Sequence, residues 1–206
     1  MQAGSTEAQQ AFAARMAEKH ITPLWTVASR LVMNEPTPKI PPVYWNYQRD
    51  VRPYILEAAD VISAAEAHRR VLVLNNPTLK HGATHTLTCA IQLIKGGEIA
   101  PAHRHSQAAL RFIIEGAGAY TAVNGERVTM HPGDFILTPS WTWHDHGSEA
   151  DGPVVWLDGL DIPMIRFFDA GFAENSAQAV QRVERAEGTS LANYGYNMVP
   201  LRGERI

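Results

Sequence analysis

Cysteine is almost missing from this chain. Cys89 stands alone, so no disulfide can form within the chain, which suits a reducing compartment. Neither sign of charge dominates: 18 Lys and Arg are set against 21 Asp and Glu, spread along the sequence. The net charge of −3 leaves no basic stripe of the kind nucleic acid requires. No apolar run approaches the roughly 20 residues of a membrane span. The first residues, Met-Gln-Ala-Gly-Ser-Thr-Glu, carry neither a basic nor an apolar leader region. A cytoplasmic protein without nucleic-acid or membrane partners is therefore expected. What the chain does have is histidine, nine in all, most of them between His81 and His146.

The 206 residues suffice for one substantial core. Three stretches can be told apart. Residues 1–70 begin with a helical pattern: Thr6 and Gln9 have capping-box spacing, and Phe12 and Met16 share a face. A Pro-rich, aromatic segment from Pro36 to Tyr54 follows. Its prolines bar it from a central strand while its aromatics need burial, so it reads as an arm packed on the core or on a second subunit of a homo-oligomer. A short helix is expected near Asp60–His68.

Residues 71–162 form the barrel-like part. Strands are expected at Val71–Leu74, His85–Ile94, Leu110–Glu115, Tyr120–Val123, Glu126–Met130, Phe135–Thr138 and Val154–Leu157. Asn124-Gly125 supplies the positive φ values of a type I′ hairpin turn. Evenly spaced short strands predict an all-β fold, a small antiparallel barrel or sandwich. Residues 163–206 carry a helical pattern near Glu174–Glu187 and add no further core.

Two segments carry chemistry. In Gly97-Glu-Ile-Ala-Pro-Ala-His103-Arg-His105, alternation in an extended strand points both imidazoles to one face. Pro139-Ser-Trp-Thr-Trp-His144 can bring a third from a distant strand. A lone strand histidine is usually a surface or satisfied core residue. Three that converge would make a facial set of neutral nitrogen ligands with open metal positions, suited to Fe, Zn, Cu or Ni. His144 and His146 form a competing pair on one face. His81 and His85 have helical spacing, which Pro77 and Gly82 make a poor helix, and His131 lies in a turn. His20 and His68 fall at helix ends, where a cationic tip is favourable.

Gly97-x5-His103-x-His105 resembles the first cupin motif. Pro132-Gly-Asp-Phe-Ile-Leu-Thr-Pro-Ser-Trp-Thr-Trp-His144 resembles the second, with Trp141 where many cupins have glycine. The glutamate usual after the second histidine is replaced by Ala108, Ala109 and Leu110, none able to bind metal. That departure, with the runs from His103 to Gly116 and from Met130 to Gly147, resembles gentisate 1,2-dioxygenase and the related salicylate and 1-hydroxy-2-naphthoate dioxygenases. The resemblance implies a double-stranded antiparallel β-barrel and Fe(II) held by His103, His105 and His144. It further implies O2-dependent cleavage of a small aromatic carboxylic acid between its carboxyl- and hydroxyl-bearing carbons, giving maleylpyruvate from gentisate. Three neutral ligands would leave the full metal charge for an anionic, chelating substrate.

Arg111 shares parity with the two histidines among apolar neighbours, which marks a buried cation in need of an anion. The resemblance makes it a substrate-binding residue, with Gln92 and, on a looser match, Arg70. His146 would handle the substrate hydroxyl proton, and Asp158 would orient His146 or Arg111. Family members carry a second barrel, expected where this chain ends. A metal- or acid-binding cupin without turnover is the alternative reading, and a sugar-directed cupin using Trp141, Trp143 and Trp156 a third.

Overall fold

A computed structural model describes residues 6–63, 66 and 69–195. The chain divides into two compact units at Pro41/Pro42. In the first, α1 (Glu7–Ala17) opens with the expected capping box: Thr6 Oγ1 accepts from Gln9 N and Gln9 Oε1 from Thr6 N. Phe12 stacks on Trp25 of α2 (Leu24–Leu31).

The second unit starts within the expected arm. Tyr47–Val51 form a π-helical turn and Arg52–Val61 form α3, with Pro53 in the first helical turn, where its missing N–H costs nothing. The helix expected near Asp60–His68 instead begins inside the Pro36–Tyr54 arm and ends at Val61; residues 64, 65, 67 and 68 lie outside the described residues. Trp45, Tyr47, Val51 and Ile55 pack against Ile91, Leu93 and Val155. Ile55 is fully buried there, a gain of about 1.5–3 kcal/mol for one aliphatic side chain. Tyr47 and Arg52 both bond the Glu115 carboxylate and so tie this segment to the sheet.

Among the described residues, ten strands make two antiparallel five-stranded sheets. They are β1 (Arg70–Leu74), β2 (Thr88–Ile94), β3 (Ile99–His105), β4 (Ala109–Glu115), β5 (Ala119–Val123), β6 (Glu126–Thr129), β7 (Phe135–Thr138), β8 (His144–Ser148), β9 (Val154–Leu160) and β10 (Ala173–Asn175). The orders are β1-β2-β9-β4-β7 and β10-β3-β8-β5-β6. The β5–β6 turn has Asn124 and Gly125 at φ 46° and 77°, the hairpin read from the sequence. Alternation sorts β2 cleanly: Ile91 and Leu93 face α3, while Ile94 joins Ile113, Ala119, Met130, Val154 and Trp156 between the sheets. Phe112, Phe135 and Leu137 stand exposed on β4 and β7.

The helical pattern at Glu174–Glu187 is corrected. Ala173–Asn175 pair with β3, and the chain then runs as an irregular strap to a short helix, α5 (Thr189–Tyr194); the helix before it, α4, covers Ile162–Phe167. Barrel groups take the strap's backbone: Ser176 N and Ala179 O bond Ala102, and Glu184 N and Arg185 N bond Gly125 O. Gln181 N and Nε2 both donate to buried Asp145. Tertiary partners override helix propensity there.

Candidate active site

β3 is irregular where it matters. Pro101 cannot donate to a ladder, and the pairing with β8 shifts register between Ala100 and His103. The carbonyl of Pro101 turns to the His103 ring, 2.9 Å from Nδ1. The other two histidines are held alike, His105 Nδ1 2.8 Å from Gln107 O and His144 Nδ1 2.9 Å from Thr142 O. Each ring thus spends Nδ1–H on a carbonyl two residues away, which leaves Nε2 as the free lone pair.

Those free nitrogens converge. His103 is the Cα partner of His144 across β3 and β8. Among the described residues, His103, His105 and His144 are the group whose ligand atoms lie close enough to hold a metal ion, within 4.8 Å of one another. His144 Nε2 is buried without a partner, which is what a metal ligand looks like and what a packed core histidine does not. Burial pushes the His103 imidazole down to about 4 and that of His144 to about 2, with the nearby cations and histidines adding to the effect. His105 is lowered for the same first reason. All three are neutral at neutral pH, as ligands must be.

A pH prediction follows for metal-free protein. The unfolded histidines take a proton near pH 6.5, while the folded ones resist it to far lower pH. The unfolded state therefore binds more protons below 6.5, and stability must fall as pH drops through that window. His103 and His144 each cost about 2 kcal/mol at pH 5, and His105 acts in the same direction. The melting temperature of chelator-treated protein should drop steeply between pH 7 and 5 and recover on returning to pH 7.

Buried charge surrounds the three rings. Arg111 and Asp158 are Cα partners on β4 and β9, and Arg111 Nε lies 3.3 Å from Asp158 Oδ1. That distance makes an ion pair but not a hydrogen bond, since both atoms lack a hydrogen-bond partner. Arg111 Nη1 donates to Thr138 Oγ1, and Trp156 Nε1 donates to Asp158 Oδ2 at 3.0 Å. Asp158 thus sits against Arg111 and Trp156; burial pushes its carboxyl up while the Arg111 cation opposes this. His146 is 2% exposed, with its ring 5.9 Å from that of His144 and its Nδ1 unpartnered. Burial first, then Arg111, keeps it well below its ordinary value and neutral. Gln92 is buried on the same inward face of β2.

Arg70 requires a correction. Its guanidinium is paired with Glu98 and donates to Ile62 O, so it braces the end of β1. The neighbouring Arg69 is the one that enters the site, with Nη2 2.9 Å from His103 Nδ1 and Nε buried without a partner. His103 Nδ1 cannot both donate to Pro101 O and accept from Arg69. The carbonyl bond is preferred because all three rings share it, leaving Arg69 a cation with donors to spare. Strand parity could have found it: Val71 opposes the inward Gln92, and Arg69 is two residues from Val71.

His81, exposed, lines an outer cleft of about 340 Å³ with Thr88, Ile162, Pro163, Arg166 and Phe167. His85 and His131 are exposed, and His20 follows α1 at φ 58°; His68 lies outside the described residues.

Two antiparallel sheets around a three-histidine set, two of its members buried and His105 half-buried, define a metal-binding cupin, and a family model described as Cupin domain matches residues 90–160. More narrowly, the chain belongs to the gentisate 1,2-dioxygenase family of cupins. It is 44% identical to gentisate 1,2-dioxygenase 1 of Aquipseudomonas alcaligenes over 95% of this chain and 57% of that protein. It is 32% identical to 5-nitrosalicylic acid 1,2-dioxygenase of a Bradyrhizobium species over 62% of this chain and 68% of that one. The crystal structure of salicylate 1,2-dioxygenase from Pseudoaminobacter salicylatoxidans, an adduct with gentisate, superposes with a TM-score of 0.79 at 34% identity, over 98% of this chain and 57% of that one. The chain thus spans a little over half the length of that gentisate dioxygenase and of that structure. Among the described residues no helix is long and apolar enough to cross a membrane.

Proposed function

We infer that this chain is a ring-cleaving dioxygenase for a hydroxylated aromatic carboxylic acid, gentisate first among them, opened by O2 between its carboxyl- and hydroxyl-bearing carbons to maleylpyruvate. The observation that carries this reading is three neutral histidines, His103 and His144 buried and His105 half-buried, whose ligand atoms lie within 4.8 Å of one another, beside buried Arg111 and half-buried Arg69, each with an unpartnered Nε. His103, His105 and His144 would hold Fe(II). Bound there, iron would supply the redox chemistry that lets O2 react with an aromatic ring.

The remaining steps belong to side chains. Arg111 and Arg69 hold two positive charges beside the single carboxylate of Asp158, a setting that favours a bidentate carboxylate. Asp158 and Thr138 fix the Arg111 fork so that it meets the substrate already oriented. His146, neutral and with an unpartnered Nδ1, would accept the hydrogen bond of the substrate's hydroxyl and so guide its proton. Gln92 would offer its amide to the ring substituents. Trp156 and the apolar residues below it keep water from that end of the lumen. Supplied with 18O2, the iron-loaded chain should give a ring-opened product carrying both labelled atoms; unlabelled or singly labelled product would overturn the reading.

A further inference from the structure

Between the two histidines of β3 stands Arg104, whose parity sends it to the opposite face. There its guanidinium carbon lies over two indoles, 4.3 Å from the ring centre of Trp141 and 4.5 Å from that of Trp143. Nε and Nη2 both donate to one oxygen of Glu174, on the neighbouring strand β10. One cation therefore joins three pieces of chain: the strand bearing His103 and His105, the strand beside it, and the turn that delivers His144.

The turn needs such a hold. Trp141 has φ 60°, a left-handed conformation that a bulky residue rarely adopts without outside support. Its N–H donates to His105 O, and its ring also meets Phe172. Between the two tryptophans lies Thr142, whose carbonyl takes the His144 Nδ1–H. The atom that fixes the third ring is thus flanked on both sides by the indoles Arg104 bridges.

We propose that Arg104 is a positioning residue for the metal centre: by clamping Trp141 and Trp143 to β3 it sets the Thr142 carbonyl and, through it, the orientation of His144. The inference rests on the metal-centre reading above, and it needs no substrate. Outer partners that orient a ligating histidine typically matter 10–100-fold in metal affinity.

The test uses Co(II) as probe on the full chain, with its dissociation constant read by chelator competition, its visible absorption recorded, and the melting temperature of metal-free protein measured in parallel. Arg104→Ala should weaken Co(II) about 10–100-fold and shift the absorption bands. Arg104→Lys should fall between, since an ammonium can rest on an indole but lacks the planar fork. Should Arg104→Ala fail to fold, Arg104→Lys and Trp143→Leu carry the same comparison. Unchanged affinity and bands, or a lower melting temperature with both unchanged, would overturn the proposal. A wild-type chain that takes up no Co(II) would instead overturn the metal-centre reading and the proposal with it.

Discussion

Arg111→Ala should lower kcat/KM for a carboxylated ring about 10²–10³-fold while metal content stays at the wild-type level. The magnitude comes from removing one partner of a buried, charge-assisted contact, roughly 3–4 kcal/mol. The same change strands Asp158, which is 6% exposed and would keep only the Trp156 N–H. Melting temperature should therefore drop as well. Adding Asp158→Asn removes the stranded charge, so the double variant should regain stability without regaining turnover. That split separates a substrate contact from a structural ion pair. Wild-type kinetics in Arg111→Ala would end its assignment as the carboxylate anchor.

His144→Ala should abolish metal retention through gel filtration, a larger loss than the roughly 10–100-fold of an outer partner. His144 is the histidine that β8 contributes to the set, and without it only the i, i+2 pair of β3 remains. The metal-free variant should also show a shallower loss of stability on acidification, because the most strongly depressed imidazole of the three is gone. Retained stoichiometric metal would place the third ligand elsewhere, His146 being the nearest candidate.

Much of this site was legible because strands alternate. His103 and His105 share a face by alternation within β3, Arg111 is legible as a cation among apolar neighbours although it lies on β4 of the other sheet, and Asn124-Gly125 fixed the hairpin between β5 and β6. Four features were not legible there. The convergence of β3 with β8 is a pairing of distant segments that no local pattern encodes, so spacing alone left His144 and His146 in competition. The strap at 176–187 is rich in helix formers, yet its partners are edge carbonyls and buried Asp145, visible only once the sheet exists. Arg70 rests on a loose resemblance alone, and the pairing of Val71 with Gln92 that sends Arg69 inward exists only once β1 lies beside β2. Arg104, between two residues chosen for their chemistry, drew no notice, since its role depends on a turn 37 positions away in a chain of 206.

The most direct measurement is oxygen uptake by the 206-residue chain, loaded with Fe(II) without air and then given gentisate in an oxygen electrode cell. Consumption of one O2 per gentisate, with the absorbance of a ring-opened product, is the predicted result. Bound iron with no uptake would contradict the account and leave a metal-binding cupin without turnover.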